Sequence, residues 1–487
     1  MVFLIVLILL PILFGALLPA FKIKSRRFKL SLVFAVLTAE AALCILSAVY
    51  GDVYSEILKI SGKLSFALMT DNVSHLFMLV ISFGWLLTGV YSFIYMKHEE
   101  HEDRFYAFYL IAEGAMLGLC FAANLITMYL FFEMVTLTSM PLVLHSLKKE
   151  AVSAAMKYLY YSIAGAFLAL FGIFVLAEYA TDLTFVPGGT LDMTKLVGHE
   201  TILLIGIFAA IVGFGAKAGM YPLHGWLPTA HPVAPAPASA VLSGLIAKAG
   251  VLAILRLIFF STGTEFLKGT WVQYSLIGLA LLTIFMGSMM AYREKVFKKR
   301  LAYSTVSQIS YILLGLFIMT PAGVTGGLLH VVFHAAIKLA LFMTAGSIIY
   351  NTGKTNVDEF TGMGKEMPIT IWSFTLCSLA LIGIPPASGF VSKWYLATAA
   401  LDSSLSAVTW LAPAVLLISA LLTAGYLLPI TVKGFFPGKD FTYPAVKKEK
   451  DALMWIPIVI LAALSLFFGI FSGGLTGFVS GIANIIA

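Results

Sequence analysis

Apolar stretches recur along the chain from Val2 to Ala487 with only short polar gaps between them. Each is about 20 residues long, the length an α-helix needs to cross the hydrocarbon of a bilayer. On that pattern, spans are expected near Val2–Ala20, Phe28–Tyr50, Val73–Met96, Phe105–Ala122, Leu125–Leu147 and Tyr158–Tyr179. Others are expected near Thr201–Gly219, Ala236–Phe260, Val272–Tyr292, Leu301–Thr320, Gly323–Tyr350, Met367–Leu401, Ala407–Lys433 and Leu453–Ile485, several of them interrupted. The pattern predicts an all-α polytopic membrane protein of about fourteen transmembrane helices. Residues 1–487 read as one membrane domain, because no polar segment is long enough to fold apart from it.

Composition agrees with lipid as the solvent. Hydrophobic residues make up 60% of the chain and charged residues 11%, against roughly 25% charged in soluble domains. The first apolar run has no basic stretch before it and carries KIKSRR after it, so it is expected to be a retained helix and not a cleaved signal. Cys44, Cys120 and Cys377 stand singly in apolar runs, which supports neither a disulfide framework nor an iron–sulfur or zinc site.

The net charge of +7 is better explained by topology than by a nucleic-acid partner, since the cations sit in short loops between spans. If alternate loops face opposite sides, one side collects Lys22 to Lys29, Lys97, Arg104, Lys148, Lys149, Arg293 to Arg300, Lys354, Lys365 and Lys433 to Lys450. The other collects only Lys59, Lys63, Lys195 and Lys268. Cytoplasmic loops are the positive ones, which places both chain termini on the outer side of the cell membrane.

Six basic residues escape this explanation: Lys157, Lys217, Lys248, Arg256, Lys338 and Lys393 fall within or beside apolar spans. A charge at the centre of a membrane helix costs about 2.5 to 3.5 kcal/mol on insertion scales, so it is expected to face a partner or a hydrated cavity. Lys157 lies near an end and can snorkel.

The segment Gly213 to Ser239 sets Lys217 ahead of Pro222, His224, Trp226, Pro228, His231 and Pro232. Proline removes a backbone donor, so the helix should break there. Broken membrane helices persist where freed carbonyls are buried in protein or meet water. The bland alternative is a kinked packing helix with an incidental lysine. A second break is expected where Pro385, Pro386 and Gly389 precede Lys393, and recurrence of such breaks suggests two related halves.

Between them, Lys248 lies in SGLIAKAGVLAILR, and His330, His334 and Lys338 share one helical face at i, i+4, i+8. Two histidines at that spacing could hold a metal, but no H-E-x-x-H motif accompanies them, and a proton relay fits better. Glu133, near the middle of its span, is the natural counterion for a lysine, and moving the two together or apart changes the proton affinity of both. Glu40 and Glu113 are weaker candidates, for which a hydrogen-bonded structural role is at least as good a reading.

Together these residues resemble the antiporter-like subunit family of respiratory complex I, Mrp-type Na+/H+ antiporters and membrane-bound hydrogenases, and the resemblance covers nearly the whole chain. It matches Glu133 to the family's fifth-helix glutamate, Lys217 to the lysine of its broken seventh helix, and Lys248 to its eighth-helix lysine. His330, His334 and Lys338 match the histidine-bearing eleventh helix, and Lys393 the terminal lysine of the broken twelfth. The resemblance implies two inverted five-helix repeats, approximately 105–260 and 272–433, each forming a half channel. A medium-length Mrp D-like or hydrogenase-type member is favoured, since the long lateral helix of the largest members is absent.

The expected function is a proton-translocating, non-redox subunit of a multisubunit membrane complex, with Na+ as the alternative cation. Lysine offers a cation no acceptor, so this chain suits protons better than sodium. Candidate site residues are Glu133, Lys217, Lys248, His330, His334, Lys338, Lys393, His224 and His231. No metal and no cofactor is expected in this chain. Expected partners are lipid and other membrane subunits, including further antiporter-like ones. An autonomous transporter of a small organic ion and an inert scaffold for a redox enzyme are the competing readings. The scaffold leaves the costly charges unexplained.

Overall fold

The computed structural model of the chain describes residues 2–438, 441, 449 and 451–487. Apart from single-turn helices, the order begins α1 (Val2–Leu17), α2 (Arg26–Tyr50), β1 (Val53–Ser61), β2 (Leu64–Thr70), α3 (Asn72–Tyr95), α4 (Glu102–Cys120), α5 (Leu125–Val143) and α6 (Lys149–Tyr179). There follow α7 (Glu200–Ala218), α8 (Leu227–Val233), α9 (Ala236–Thr262), α10 (Trp271–Arg293), α11 (Phe297–Ile318) and α12 (Pro321–Thr352). The chain ends with α13 (Pro368–Ile382), α14 (Ser388–Leu401), α15 (Val408–Phe435), α16 (Ala452–Ile470) and α17 (Gly473–Ile486). Among the described residues, 11 helices are long and apolar enough to cross a membrane, and Val2–Leu17, Pro368–Ile382 and Gly473–Ile486 are shorter apolar helices. The chain is a multi-pass membrane protein.

The helix ends follow local chemistry. Asp71 accepts from the Ser74 N–H at 2.8 Å to cap α3, and Asn124 accepts from the Thr127 N–H at 2.8 Å to cap α5. Thr320 caps α12 just ahead of Pro321, whose missing N–H costs nothing in a first turn. Gly165 and Gly213 let α6 and α7 touch backbone to backbone. A methyl on Gly165 would lie 2.5 Å from the Gly213 oxygen, and one on Gly213 2.3 Å from that of Gly165.

Three features depart from the hydrophobic pattern. The loop carrying Lys59 and Lys63 is an antiparallel β1–β2 hairpin, and its inner strand hydrogen-bonds the ends of α4 and α5 through Met69 N–H to the Phe121 carbonyl (2.7 Å) and Ala67 N–H to Thr127 Oγ1 (3.1 Å). The expected span Leu453–Ile485 divides at Phe471 and Ser472 into α16 and α17. At 14 residues, α17 is about 21 Å long and too short to cross alone. Its buried Val479, Ile482, Ala483 and Ile486 form one stripe, and it packs against α12. Finally, α6 begins at Lys149, nine residues before the expected start, because its first turns are helical but polar. Lys439, Lys447, Lys448 and Lys450 of the basic loops lie outside the described residues.

The middle of the bundle is α9, buried along its length, flanked by the largely buried α11 and α12. α2, α6, α15 and α16 turn most of their surface outward.

Candidate functional site

α7 ends as expected just after Lys217. Gly219, with φ +79°, turns the chain out of the helix, and the Trp226 indole N–H donates to the freed Ala216 carbonyl at 2.8 Å. Lys217 is fully buried. Its ammonium donates to the Phe132 carbonyl at 3.2 Å and to the Thr136 hydroxyl, and lies 4.5 Å from the centre of the Phe132 ring. Glu133 is on the same helix α5 and within electrostatic reach, but the two form no ion pair within 4.0 Å among the described residues. Glu133 is half-buried beside the outward-facing Leu130 and Leu137, with Oε1 unpartnered.

Toward the middle of the molecule, α9 departs from α-helical geometry on both sides of Lys248, with π-helical turns over Leu242–Ile246 and Leu257–Thr262. The Ala247 N–H reaches back to the Leu242 carbonyl at 3.1 Å, one residue further than an α-helical step. The Ser243 carbonyl accepts from the Lys248 ammonium at 3.1 Å. Such bulges frequently mark functional positions. Lys248 Nζ also lies 2.7 Å from His334 Nδ1.

From His334 the sequence of contacts continues along α12. The His334 and His330 rings stack with centroids 5.9 Å apart, and His330 Nδ1 is 2.9 Å from the Ser392 hydroxyl. Tyr311 stacks on His330 at 5.7 Å, and the ammonium of Lys393 lies 5.0 Å from the centre of the same Tyr311 ring. Lys393, half-buried, donates to the Leu381 and Ile382 carbonyls at 2.6 and 2.9 Å. These are carbonyls at the C-terminal end of α13, where the helix dipole favours a cation. The second break lies where expected, between Ile382 and Ser388, with the lysine following the break and not preceding it.

Lys338 is fully buried but turned toward α11, donating to the Leu301 carbonyl at 3.1 Å and to the Ser304 hydroxyl. His231 is also fully buried, stacks on Phe342 at 4.7 Å, and feels the charges of Lys338 and Lys298. Of the expected site residues, His224 stands apart. It is half-buried on the Gly219–Trp226 turn and stacks on Tyr221 at 5.9 Å. Lys157 donates to the Thr229 hydroxyl at 3.0 Å next to that turn.

Several polar residues of this region were not singled out in the sequence. Thr136, Ser304, Ser392 and Tyr311 serve as partners of the charged groups, and the Ser243 hydroxyl bonds that of Thr305 at 2.6 Å. Lys298, counted with the loop cations, is buried and donates to the Ala234 carbonyl at the end of α8. Ser304, Thr305 and Tyr311 fall on one face of α11.

Arg256 has a different explanation. It forms a bidentate ion pair with Asp71, Nη1 to Oδ2 at 2.6 Å and Nη2 to Oδ1 at 2.7 Å, which ties α9 to the start of α3. Burial works against charge on Asp71, but the Arg256 guanidinium and the Ser74 donors outweigh it and hold the carboxyl down at about 2. Glu40 and Glu113 are fully buried within electrostatic range of each other, and no oxygen of either has a hydrogen-bond partner among the described residues. Among the described residues no protein group supplies the hydrogen-bonded structural role considered for them.

Known proteins are similar to this chain in sequence and in fold. The family described as "NADH:quinone oxidoreductase/Mrp antiporter, TM" matches residues 122–423, and "NADH-Ubiquinone oxidoreductase (complex I), chain 5 N-terminus" matches residues 58–106. The chain is similar to NADH-quinone oxidoreductase subunit N of Desulforudis audaxviator, 31% identical over 418 residues that cover 83% of this chain and 82% of the relative. It is also similar to a Na(+)/H(+) antiporter subunit of Bacillus subtilis, 29% identical over 412 residues, 83% of this chain and 80% of the relative. In fold it resembles a chain of the Mrp complex from Dietzia, with a TM-score of 0.86 over 100% of this chain and 98% of that one at 22% identity.

Proposed function

The chain belongs to the NADH:quinone oxidoreductase/Mrp antiporter family, and from that premise we propose that it is a proton-translocating subunit of a multisubunit membrane complex. The observation that carries the proposal is the 2.7 Å approach of Lys248 to His334 inside a fully buried run that continues through His330 to Ser392. An amine and an imidazole at that distance can exchange a proton directly, and imidazole can receive on one nitrogen and release from the other.

In this reading Lys217 is the loading group. Its charge is held by the Phe132 carbonyl and Thr136, and Glu133, on the α5 helix that carries both, modulates it electrostatically. Protons pass through Lys248, His334 and His330, and Lys393 at the second break exchanges them with one side. Lys338 and His231 set the field beside this path. His224 has no place in it.

The recurrence of a broken helix beside a buried lysine supports related halves, 105–260 and 272–433. The excess of Lys and Arg in one set of loops supports a cytoplasmic location for those loops and an outer location for both termini. The outward-facing Leu130–Leu137 edge beside Glu133 suits contact with another membrane subunit, where a neighbour's charge would reach the Glu133–Lys217 pair. The relatives named for complex I and Na+/H+ antiport give this role its setting, with the proton as the ion carried here and Na+ handled elsewhere in the complex.

The test is proton uptake into vesicles holding the assembled complex with Lys248→Ala. Loss of transport with intact assembly is expected. Wild-type transport would remove Lys248 from the path and the proposal with it.

A further inference from the structure

α11 and α12 are consecutive, joined at Met319 and Thr320, and pack side by side in opposite directions. Two contacts fix their register: Lys338 on Ser304, and His330 on Tyr311. Four residues inward from Ser304 is Gln308, and four residues inward from Lys338 is His334. The two side chains therefore share a level in the bundle. Ser304, Thr305, Gln308 and Tyr311 also share the face of α11 that meets the relay.

At that level several polar atoms lack a protein partner. Gln308 is fully buried, and neither its Oε1 nor its Nε2 has one. His334 Nδ1 is engaged by Lys248 and His330 Nδ1 by Ser392, while Nε2 of each ring is unpartnered. Leaving a buried polar group unmatched is costly, and a glutamine in packed apolar surroundings is readily replaced by a residue of similar shape without that cost. An amide offers both donors and acceptors, and a buried water is stable where two to four polar groups converge.

We propose that Gln308 holds a water molecule between His334 Nε2 and His330 Nε2, and so acts as a positioning residue for proton transfer between the two rings. The inference rests on the relay proposed above. In the transfer, Lys248 Nζ–H gives its proton to His334 Nδ1. The N–H bond at His334 Nε2 breaks as a bond forms to the water oxygen, and the same water releases one of its own hydrogens to His330 Nε2. The water is regenerated, His334 is left with its proton on Nδ1, and the charge rests on the His330 imidazolium. Gln308 Oε1, by accepting the water's other hydrogen, aims the transferred one at His330. His334 must return to its first tautomer before the next proton can follow the same route.

The experiment uses the assembled complex in proteoliposomes, comparing Gln308→Met, which keeps the side-chain size, with Gln308→Glu, which keeps an acceptor oxygen. Proton transport and the infrared O–H stretch of weakly hydrogen-bonded water are both recorded. Gln308→Met is expected to transport about tenfold more slowly and to lose the water band, and Gln308→Glu to restore both in part. Wild-type transport and an unchanged band in Gln308→Met, with Lys248→Ala inactive alongside, would overturn the role of Gln308 and leave the relay standing. Wild-type transport in Lys248→Ala would overturn the relay itself. If Gln308→Met does not assemble, the band is compared between the native complex and His334→Gln. Its loss or shift supports the hydration site, and an identical band overturns it.

Discussion

From Lys248 through His334 and His330 to Ser392, each group lies within hydrogen-bonding or stacking distance of the next. Glu133 and Lys217 share an electrostatic neighbourhood without touching, and Lys217 leans instead on a carbonyl and a hydroxyl of the helix that carries Glu133. The first arrangement is organised like a conduit, in which proton positions interchange at nearly fixed geometry. The second is organised like a switch, because a modest displacement of either side chain changes their interaction strongly at low local dielectric. Membrane burial makes both costly, so each is expected to answer differently to substitution.

The contrast between them is broken most directly at the conduit. His334→Phe keeps a ring in the stack but removes both nitrogens, and is expected to slow proton transport about 100-fold or more, measured as dye quenching in vesicles. At the switch, Thr136→Val removes one of the partners of the Lys217 ammonium and is expected to cost about tenfold, with the pH dependence of transport displaced. A Thr136→Val profile that only scales down, without moving along the pH axis, would place Lys217 among the conduit groups.

Away from both, Asp71→Asn is expected to lower stability by about 3 kcal/mol or more, since it leaves the buried Arg256 charge without its carboxylate, while transport per assembled complex stays near native. The folded value of Asp71, about 2, lies below its ordinary 3.8. Its contribution to stability, on the order of 2 kcal/mol, is therefore full above about pH 4 and is lost as pH falls through 2. Thermal unfolding of both forms across that range checks the sign: the difference between them should shrink on acidification. His224→Ala, on the turn after α7, is expected to change transport by less than about twofold. A large loss there would extend the path to the turn.

The membrane helices and both breaks were legible because proline, glycine and runs of apolar residues leave strong one-dimensional signals. The β1–β2 hairpin was not, since its alternation is brief and sits in a loop-length gap between two spans. The break at Phe471 and Ser472 lacks a proline and its surroundings stay apolar, so its signals are length and the turn residues Ser472, Gly473 and Gly474. The charged site residues stood out by their cost in lipid. Their hydroxyl partners did not, because Ser304 and Thr136 carry little penalty in a hydropathy reading and gain meaning only when a neighbouring helix supplies the lysine. Arg256 shows the opposite error. It carries the same one-dimensional signal as Lys248, yet its bidentate bond to Asp71 makes it a structural tie between α9 and α3.

The central claim is that protons move through the imidazole of His334. Infrared difference spectra of the complex with 15N-labelled histidine, recorded as a pH gradient is applied across the vesicle membrane, read this ring directly once the His334→Gln spectrum is subtracted. The account predicts ring bands reporting exchange between its two tautomers during transport, and their disappearance in Lys248→Ala. A His334 spectrum that stays constant while protons cross the membrane at the native rate would contradict it.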